Sequence, residues 1–172
     1  FSSDSNHMLK LAKKKCKVIK RPINLSTSKS KSAEACLHAL HYYEKKFCKI
    51  DAVLLLQPTT PFRKISDIKK AFKILKNMKK SVISVSLTKQ ASNLKNSYHI
   101  FKGVLKKIEK KPKKYISSYS PNGSFYLSKS SYLKKYNDFQ RDGAMPLIIK
   151  SQKYSIDIDL KKDLILAKKF LS

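Results

Sequence analysis

The apolar positions of the chain recur with two periods, and these periods predict an alternation of helices and strands. Residues 32–47 (SAEACLHALHYYEKKF) and 67–80 (DIKKAFKILKNMKK) place apolar side chains three and four residues apart, which predicts two amphipathic helices. The continuous apolar runs in residues 51–57 (DAVLLLQ) and 81–87 (SVISVSL) predict strands. We expect residues 51–57 to be covered on both faces, as the strands of parallel sheets are.

The segments around these four elements extend the alternation and then depart from it. FSSDS is predicted to contain the end of a strand and the start of a helix, which Ser3 or Asp4 caps. CKVIK is predicted to form another strand. Ser32 and Ser66 are the predicted caps of the two amphipathic helices. Beyond about Thr88 the pattern predicts a hairpin in NSYHIFKGVLKKIE and then an irregular segment, KKPKKYISSYSPNG. GSFYLS is a predicted strand, SSYLKKY a short helix and PLIIK another strand. DLKKDLILAKKFL is the predicted final helix.

The alternation in the first half favours an α/β fold with a mostly parallel sheet and right-handed crossovers. At 172 residues, 41% of them hydrophobic, the chain is predicted to form a single domain, residues 1–172, around a core of its own. Its longest apolar runs are too short to cross a bilayer, and its first residues lack the pattern of a secretory leader. Cys16, Cys36 and Cys48 fit no metal spacing, so we expect three reduced thiols in a cytoplasmic protein.

Lysine dominates the charge of the chain. There are 39 basic residues against 11 acidic ones, a formal net charge of +28, and among the basic residues only Arg21, Arg63 and Arg141 are arginines. Arginine is the favoured reader of phosphates and bases, so the charge is predicted to be a solvated surface rather than a nucleic-acid interface. The alternative is a basic module without enzymatic activity that binds polyanions through its lysines and tyrosines, as in KKPKKYISSYS.

Two segments place polar residues where an α/β sheet commonly binds ligands. In residues 54–63 (LLLQPTTPFR), Gln57 follows a predicted buried strand, and open parallel sheets bind ligands at that carboxyl edge. In residues 120–127 (SPNGSFYL), Gly123 permits a close approach of the backbone, and Asn122 can hydrogen-bond a polar ligand. The alternatives are an ordinary strand-to-helix connection for the first segment and a plain turn for the second.

The segment SIDID (155–159) carries two of the few acidic residues. In an extended backbone Asp157 and Asp159 would lie on one side, where their charges repel unless a cation lies between them. Oxygen ligands of this kind suit Mg²⁺, which commonly binds one or two carboxylates together with substrate phosphates. The alternative is a strand end whose acids lie in solvent, or in which Asp159 caps the final helix.

Taken in order, six motifs resemble those of the CMP-sialic acid synthetases, or N-acylneuraminate cytidylyltransferases. The resemblance covers essentially all 172 residues, and its most specific parts are LQPTTP and SIDID, about 100 residues apart. The six motifs are SSD (2–4), RPINLS (21–26), LHAL (37–40), LQPTTP (56–61), NGSFY (122–126) and SIDID (155–159).

The resemblance implies a mostly parallel three-layer sheet of the nucleotide-diphospho-sugar transferase (Rossmann-like) type. It implies that CTP condenses with a nonulosonic acid of the sialic acid type, whose anomeric hydroxyl attacks the α-phosphate, to give a CMP-sugar and pyrophosphate. Family members are dimers, so a homodimer is implied, with a small dimerisation extension at about residues 90–120 that reaches into the partner's site.

The resemblance also implies roles for seven positions of this chain. Asp157 and Asp159 would hold Mg²⁺ on the triphosphate and so take part in catalysis, with Asp159 acting through a water molecule. The remaining positions would bind substrate: Arg21, Ser32 and Gln57 near the nucleotide or the sugar, and Asn122 and Gly123 against the acyl sugar.

The chain departs from the family pattern at three places. The first strand and the Gly-, Arg- and Lys-rich loop that grips CTP are not matched, so we expect little or no synthetase activity from residues 1–172 alone. STSKS (26–30) stands where an acid is usual, and PKKYISSYS (112–120) stands where Arg and Gln are usual. Lys113 or Lys114 is the expected substitute contact to the sugar carboxylate. The sugar acid therefore stays open among sialic, pseudaminic, legionaminic and KDO types.

Overall fold

The computed structural model describes residues 1–78, 80–88, 94–110, 112 and 116–171, with the backbone alone for Lys95. These residues fall into two compact units, Phe1–Val53 with Ser130–Asp138 and Leu54–Lys129 with Phe139–Ser172.

Within the described residues the chain forms five α-helices and eight strands. The helices are α1 (Asn6–Lys13), α2 (Ser32–Lys46), α3 (Ile65–Lys76), α4 (Ser130–Tyr136) and α5 (Lys161–Lys168). The strands are β1 (Ser2–Ser3), β2 (Ile19–Lys20), β3 (Ala52–Leu55), β4 (Val82–Thr88), β5 (Tyr98–Phe101), β6 (Val104–Lys107), β7 (Ser118–Lys129) and β8 (Met145–Ile148). Each predicted helix and strand is confirmed, with differences at the ends.

The first unit pairs β1 with β2 in parallel, with α1 as the connection between them. Its apolar core lies along α2, where Ala33, Cys36 and Leu40 are buried, together with Leu133 of α4. An ion pair of 2.6 Å between Lys134 Nζ and a Glu44 carboxylate oxygen joins α4 to α2.

The helix starts differ from the predicted caps by one or two residues. Ser5, and not Ser3 or Asp4, caps α1, because its hydroxyl accepts a hydrogen bond of 3.3 Å from the Met8 N–H. At α2, Ser32 is the first helical residue, and the Lys31 N–H donates to the Glu34 carboxylate. Ser66 lies inside α3, which begins at Ile65. The predicted caps at Ser3, Asp4, Ser32 and Ser66 are therefore wrong.

The second unit contains a mixed sheet in the order β6-β5-β7-β4-β8, and β3 also pairs with β7. β4 and β8 are parallel, whereas β7 runs antiparallel to both β4 and β5. The α/β class is confirmed, with antiparallel neighbours in the larger sheet. β4 is the centre of the core, and its residues Val82, Ile83 and Val85 are fully buried. β3 is only half-buried, so the expected burial of both its faces is wrong.

Residues beyond Thr88 form more regular structure than the pattern predicted. The β5–β6 hairpin is confirmed, and it turns through Lys102 and Gly103, both with positive φ. The segment 110–123 was predicted to be irregular, but β7 begins at Ser118 and runs through it. Much of the expected dimerisation extension, about residues 90–120, and the predicted contacts Lys113 and Lys114 lie outside the described residues.

Candidate functional site

A bulge in β7 shapes the candidate site. The register between β4 and β7 shifts between Ile83, opposite Tyr126, and Val85, opposite Pro121, so residues 122–125 of β7 stand against a single residue of β4. That residue is Ser84, whose buried hydroxyl lies 2.9 Å from both the N–H and the carbonyl oxygen of Phe125. The bulge directs this part of β7 away from the regular ladder, as bulges beside functional sites commonly do. The predicted turn at Asn122 and Gly123 is therefore a bulge inside a strand.

The side chain of Asn122 holds the bulge in place. It is 8% exposed, and its Nδ2 donates a hydrogen bond of 2.9 Å to the Ser86 hydroxyl on β4. Its Oδ1 accepts a hydrogen bond of 3.1 Å from the Ser124 N–H. The Ser86 hydroxyl in turn lies 3.2 Å from the carbonyl oxygen of Ile149. Asn122 thus uses both ends of its amide within the protein, and its predicted contact with substrate stays a prediction.

The loop after β3 is fastened to the bulge. The Thr60 hydroxyl, fully buried, lies 2.7 Å from the carbonyl oxygen of Gly123. The guanidinium of Arg63 donates from Nε to the carbonyl oxygen of Ser124 at 2.6 Å and from Nη2 to the carbonyl oxygen of Gln57. Two adjacent carbonyl groups of the bulge therefore receive hydrogen bonds from this loop.

Asp157 joins the same cluster, which brings three of the predicted site residues together. The Ile158 N–H donates to the carbonyl oxygen of Thr59 at 2.9 Å, which seats the SIDID segment on the loop. Gly123 has φ +74°, and a Cβ built on it would lie 2.9 Å from Gln57 Oε1 and 3.0 Å from Asp157 Oδ2. The absence of a side chain at Gly123 is what lets these two oxygens approach the strand.

The carboxylate of Asp157 is poor in partners for a buried anion. Among the described residues its Oδ1 is buried without any hydrogen-bond donor. Burial, together with the nearby negative charge of Asp157, raises the pKa of the Tyr126 hydroxyl to about 12. A buried carboxylate oxygen without a donor is destabilising unless a cation or a donor from a ligand reaches it. Asp157 is thus suited to binding a cation.

Asp159 occupies a different environment. SIDID is irregular rather than a strand, and Asp159 is exposed. The alternative in which Asp159 caps the final helix is wrong, because Asp163 Oδ2 accepts from the N–H groups of Leu160 and Asp159 at 2.8 and 3.2 Å. Within the described ranges the Asp159 carboxylate makes no hydrogen bond or ion pair of its own. It is therefore free to reach a ligand from the solvent side.

Arg21 and Ser32 belong to the first unit. Arg21 lies 3.7 Å from an Asp4 carboxylate oxygen, and its Nε donates a hydrogen bond of 2.9 Å to the Ser26 hydroxyl. Ser32 is exposed as the first residue of α2. Their predicted roles at the nucleotide or sugar stay predictions.

Sequence reasoning missed the residues that support the cluster, above all Thr60, Arg63, Ser84 and Ser86. The one available signal was composition, since an arginine is rare in a chain this rich in lysine. Serine hydroxyls in a buried strand carried no signal, because their partners lie on β7, about 40 residues away in sequence.

The acidic, histidine and cysteine side chains of the described residues bear on the kind of site. They contain no group of three or more His, Cys, Asp and Glu side chains arranged to hold a metal. A cation at Asp157 would therefore need ligands beyond such side chains, as Mg²⁺ does when substrate phosphates complete its coordination. Across the same part of the chain, every helix is too short or too polar to span a membrane.

No protein-family model matches the chain. A CMP-N,N'-diacetyllegionaminic acid synthase of Legionella pneumophila is 30% identical over 155 residues, which cover 88% of this chain and 67% of that protein. An N-acylneuraminate cytidylyltransferase of Escherichia coli O18:K1:H7 is 31% identical over 153 residues, which cover 86% of this chain and 35% of that protein. The chain thus spans about two thirds of one relative and about a third of the other.

Solved structures share the fold at low sequence identity. A CMP:2-keto-3-deoxy-manno-octonic acid synthetase complexed with CTP has a TM-score of 0.68 at 8% identity, covering 98% of this chain and 80% of the other. HddC from Yersinia pseudotuberculosis complexed with GMP-PN has a TM-score of 0.64 at 13% identity, covering 100% and 76%. These structures show the fold, and the 30% identity to the Legionella pneumophila protein, 67% of which the chain covers, establishes that the chain belongs to the CMP-sialic acid synthetase (N-acylneuraminate cytidylyltransferase) family of nucleotidyltransferases.

Proposed function

We propose that the protein carrying this chain transfers the cytidylyl group of CTP to a nonulosonic acid. In this reaction the anomeric hydroxyl of the sugar forms a bond to the α-phosphorus, and the bond to pyrophosphate breaks. The observation that carries the proposal is the convergence of the Gln57 amide and the Asp157 carboxylate beside the backbone of Gly123. These three residues lie in three of the motifs through which the chain resembles the family, and far apart in sequence.

We further propose that Asp157 and Asp159 hold Mg²⁺ on the triphosphate of CTP. The buried, partnerless Oδ1 of Asp157 fits a direct metal ligand, and the exposed Asp159 fits a contact through water. When bound, Mg²⁺ would neutralise the triphosphate and favour departure of pyrophosphate. The chain's own contribution is to fix the Asp157 carboxylate beside Gly123, where the hydrogen bond from Ile158 to Thr59 keeps the segment in place.

Gln57 and the bulge are proposed to receive the sugar acid. The Gln57 amide can both donate and accept hydrogen bonds, as recognition of sugar hydroxyls requires. Gly123 has no Cβ, which lets the Gln57 amide and the Asp157 carboxylate lie together against its backbone. Asn122 supports this surface by its hydrogen bonds to Ser86 and Ser124. Arg21 and Ser32 are proposed as substrate contacts on the resemblance alone.

The sugar acid is proposed to be of the sialic acid type. Legionaminic acid and KDO are the alternatives that the names of the similar proteins favour, and pseudaminic acid is a further nonulosonic acid to include. We also propose a homodimer in the cytoplasm. Its support is the family resemblance, together with the three cysteines, all of which are free thiols.

The experiment is to measure CMP-sugar and pyrophosphate formation by the protein that carries this chain, with CTP, Mg²⁺ and each sugar acid in turn. We expect one nonulosonic acid to be consumed, and Asp157→Asn to abolish turnover. Asp142→Asn is the matched control, because Asp142 accepts from Lys107 on the β5–β6 hairpin and faces no predicted site residue. If all the sugar acids give no product while CTP binds normally, the proposed reaction is wrong.

A further inference from the structure

The guanidinium of Arg63 donates its hydrogen bonds to backbone carbonyl and hydroxyl oxygens. Nε donates to the carbonyl oxygen of Ser124 at 2.6 Å, and Nη2 donates to the carbonyl oxygen of Gln57 and to the Thr60 hydroxyl, the latter at 3.0 Å. Among the described residues it forms no ion pair with a carboxylate, and burial lowers the pKa of its guanidinium. A half-buried cation that contacts only neutral acceptors loses hydration without gaining an ion pair, which indicates that Arg63 has a specific role.

Thr60 completes the connection to Gly123. Its hydroxyl lies 2.7 Å from the carbonyl oxygen of Gly123 and 3.1 Å from that of Gln57. A hydroxyl has one hydrogen, and here it accepts from Arg63, so it donates to the nearer carbonyl group, that of Gly123. A single chain of hydrogen bonds thus runs from Arg63 through Thr60 to Gly123.

The acceptors of this network belong to the residues that form the site. The network binds the carbonyl groups of Gln57, Gly123 and Ser124, whereas the groups that meet in front of Gly123 are the Gln57 amide and the Asp157 carboxylate. The hydrogen bonds of Arg63 and Thr60 therefore fix the separation between the loop after β3 and the bulge in β7. Lysine cannot reproduce this arrangement, because one ammonium group lacks the planar fork that reaches two segments at once.

We infer that Arg63 and Thr60 form a clip that positions Gln57 and Gly123 against Asp157 and thereby sets the affinity of the site for its divalent cation. Arg63 and Thr60 are positioning residues, since their polar groups face the protein backbone. The inference rests on the proposed function in so far as Asp157 is taken to bind that cation.

The test uses the glycines of the chain as reporters. The protein that carries this chain is labelled with ¹⁵N-glycine, and the backbone amide signals of Gly103, Gly123 and Gly143 are assigned by their loss in the corresponding glycine-to-alanine variants. Mn²⁺ with CTP serves as the probe, because paramagnetic Mn²⁺ at Asp157 broadens the Gly123 signal. The variants are Arg63→Lys, Thr60→Val and the conservative Thr60→Ser. Lys69→Ala, on the exposed side of α3, is the control.

We expect Arg63→Lys and Thr60→Val to change the chemical shift of the Gly123 signal. The Mn²⁺ concentration that reduces the intensity of this signal by half should rise about tenfold, which is the effect of losing one charge-assisted hydrogen bond. Thr60→Ser and Lys69→Ala should behave as wild type. If Arg63→Lys and Thr60→Val lower the melting temperature but leave the half-broadening concentration unchanged, the clip only stabilises the fold and the inference is wrong.

Failure of the proposed function gives a different result. If Mn²⁺ with CTP leaves Gly123 sharp in the wild-type protein, the metal site is wrong, whatever the variants do. The chemical shift of the Gly123 signal in the absence of metal then tests whether Arg63 and Thr60 position Gly123. A chemical shift unchanged in both Arg63→Lys and Thr60→Val overturns the clip independently of the metal.

Discussion

Gly123 faces the carboxylate of Asp157 so closely that a methyl group at Gly123 would lie 3.0 Å from Oδ2, although 34 positions separate the two residues in sequence. The contact depends on a strand bulge, on a left-handed glycine and on a segment without regular structure. Because each of these can be altered singly, the site can be tested piece by piece.

Gly123→Ala should disable the site with little effect on the fold. The variant forces alanine into φ +74°, which costs about 1–2 kcal/mol, and its methyl group displaces Gln57 and Asp157. Gly103→Ala is the matched control, because Gly103 has φ +77° and no heavy atom within 4 Å of the added carbon. Urea unfolding should give a loss of stability for Gly103→Ala and a larger one for Gly123→Ala, whereas only Gly123→Ala loses CMP-sugar formation. Equal activities of the two variants would show that the close approach of Gln57 and Asp157 to Gly123 is not needed for the reaction.

Asp157→Asn should lose metal affinity without losing stability. The wild-type carboxylate has a buried oxygen that lacks a donor among the described residues, so removing its charge relieves a desolvation penalty. The melting temperature without metal should stay constant or rise, and addition of Mg²⁺ with CTP should no longer raise it. A marked fall in the melting temperature of the metal-free variant would show that the carboxylate has a structural partner instead.

The start of α5 separates the roles of two neighbouring acids. Asp163→Ala removes the acceptor of two backbone N–H groups and should lower the free energy of unfolding by about 1 kcal/mol. Asp159→Ala removes a side chain without such bonds and should leave the free energy of unfolding unchanged. Urea denaturation of both variants checks this. A larger loss of unfolding free energy for Asp159→Ala than for Asp163→Ala would show that Asp159 caps α5.

Cys36 gives the fold a dependence on alkaline pH. Burial raises the pKa of its thiol from 9.0 to about 11, and the Arg21 cation only partly opposes this. The unfolded thiol ionises first, so the contribution to stability is complete below about pH 9 and is lost as pH rises to about 11. The loss should amount to about 3 kcal/mol, at roughly 1.4 kcal/mol for each pKa unit.

Cys36→Ala isolates this effect from the titration of the lysines. Its unfolding free energy should fall less steeply than that of the wild type between pH 9 and 11. At pH 8 a disulfide reagent should modify the exposed Cys16 and Cys48 rapidly and Cys36 only after unfolding. Equal pH slopes for the two proteins would contradict the assigned pKa.

The sequence predicted what depends on local pattern and on motif order. Helix α2 and strand β4 followed from periodicity, and Gln57, Gly123 and Asp157 from motifs that the fold then brought together. The bulge could not be predicted, because a local Asn-Gly signal indicates a turn unless a distant strand is paired with it.

The missed residues share a physical reason. Arg63 resembles any basic residue at the start of a helix until its acceptors on β7 are known. The caps failed by one or two positions because several neighbouring residues can begin a helix, and the choice depends on which one finds a free N–H group. The long-range hydrogen bonds decide both cases.

The most direct measurement is the broadening of the Gly103 and Gly123 amide signals by Mn²⁺ with CTP in the unaltered protein that carries this chain. β5 is antiparallel to β7 and pairs with it at Tyr98 and Tyr119, so the chain from Tyr98 to Gly103 runs away from the bulge at Gly123. We expect the Gly123 signal to disappear at Mn²⁺ concentrations that leave Gly103 sharp, and Asp157→Asn to restore it. Broadening of Gly103 and Gly123 to the same extent, or of neither at saturating CTP, would contradict a metal–nucleotide site at Asp157.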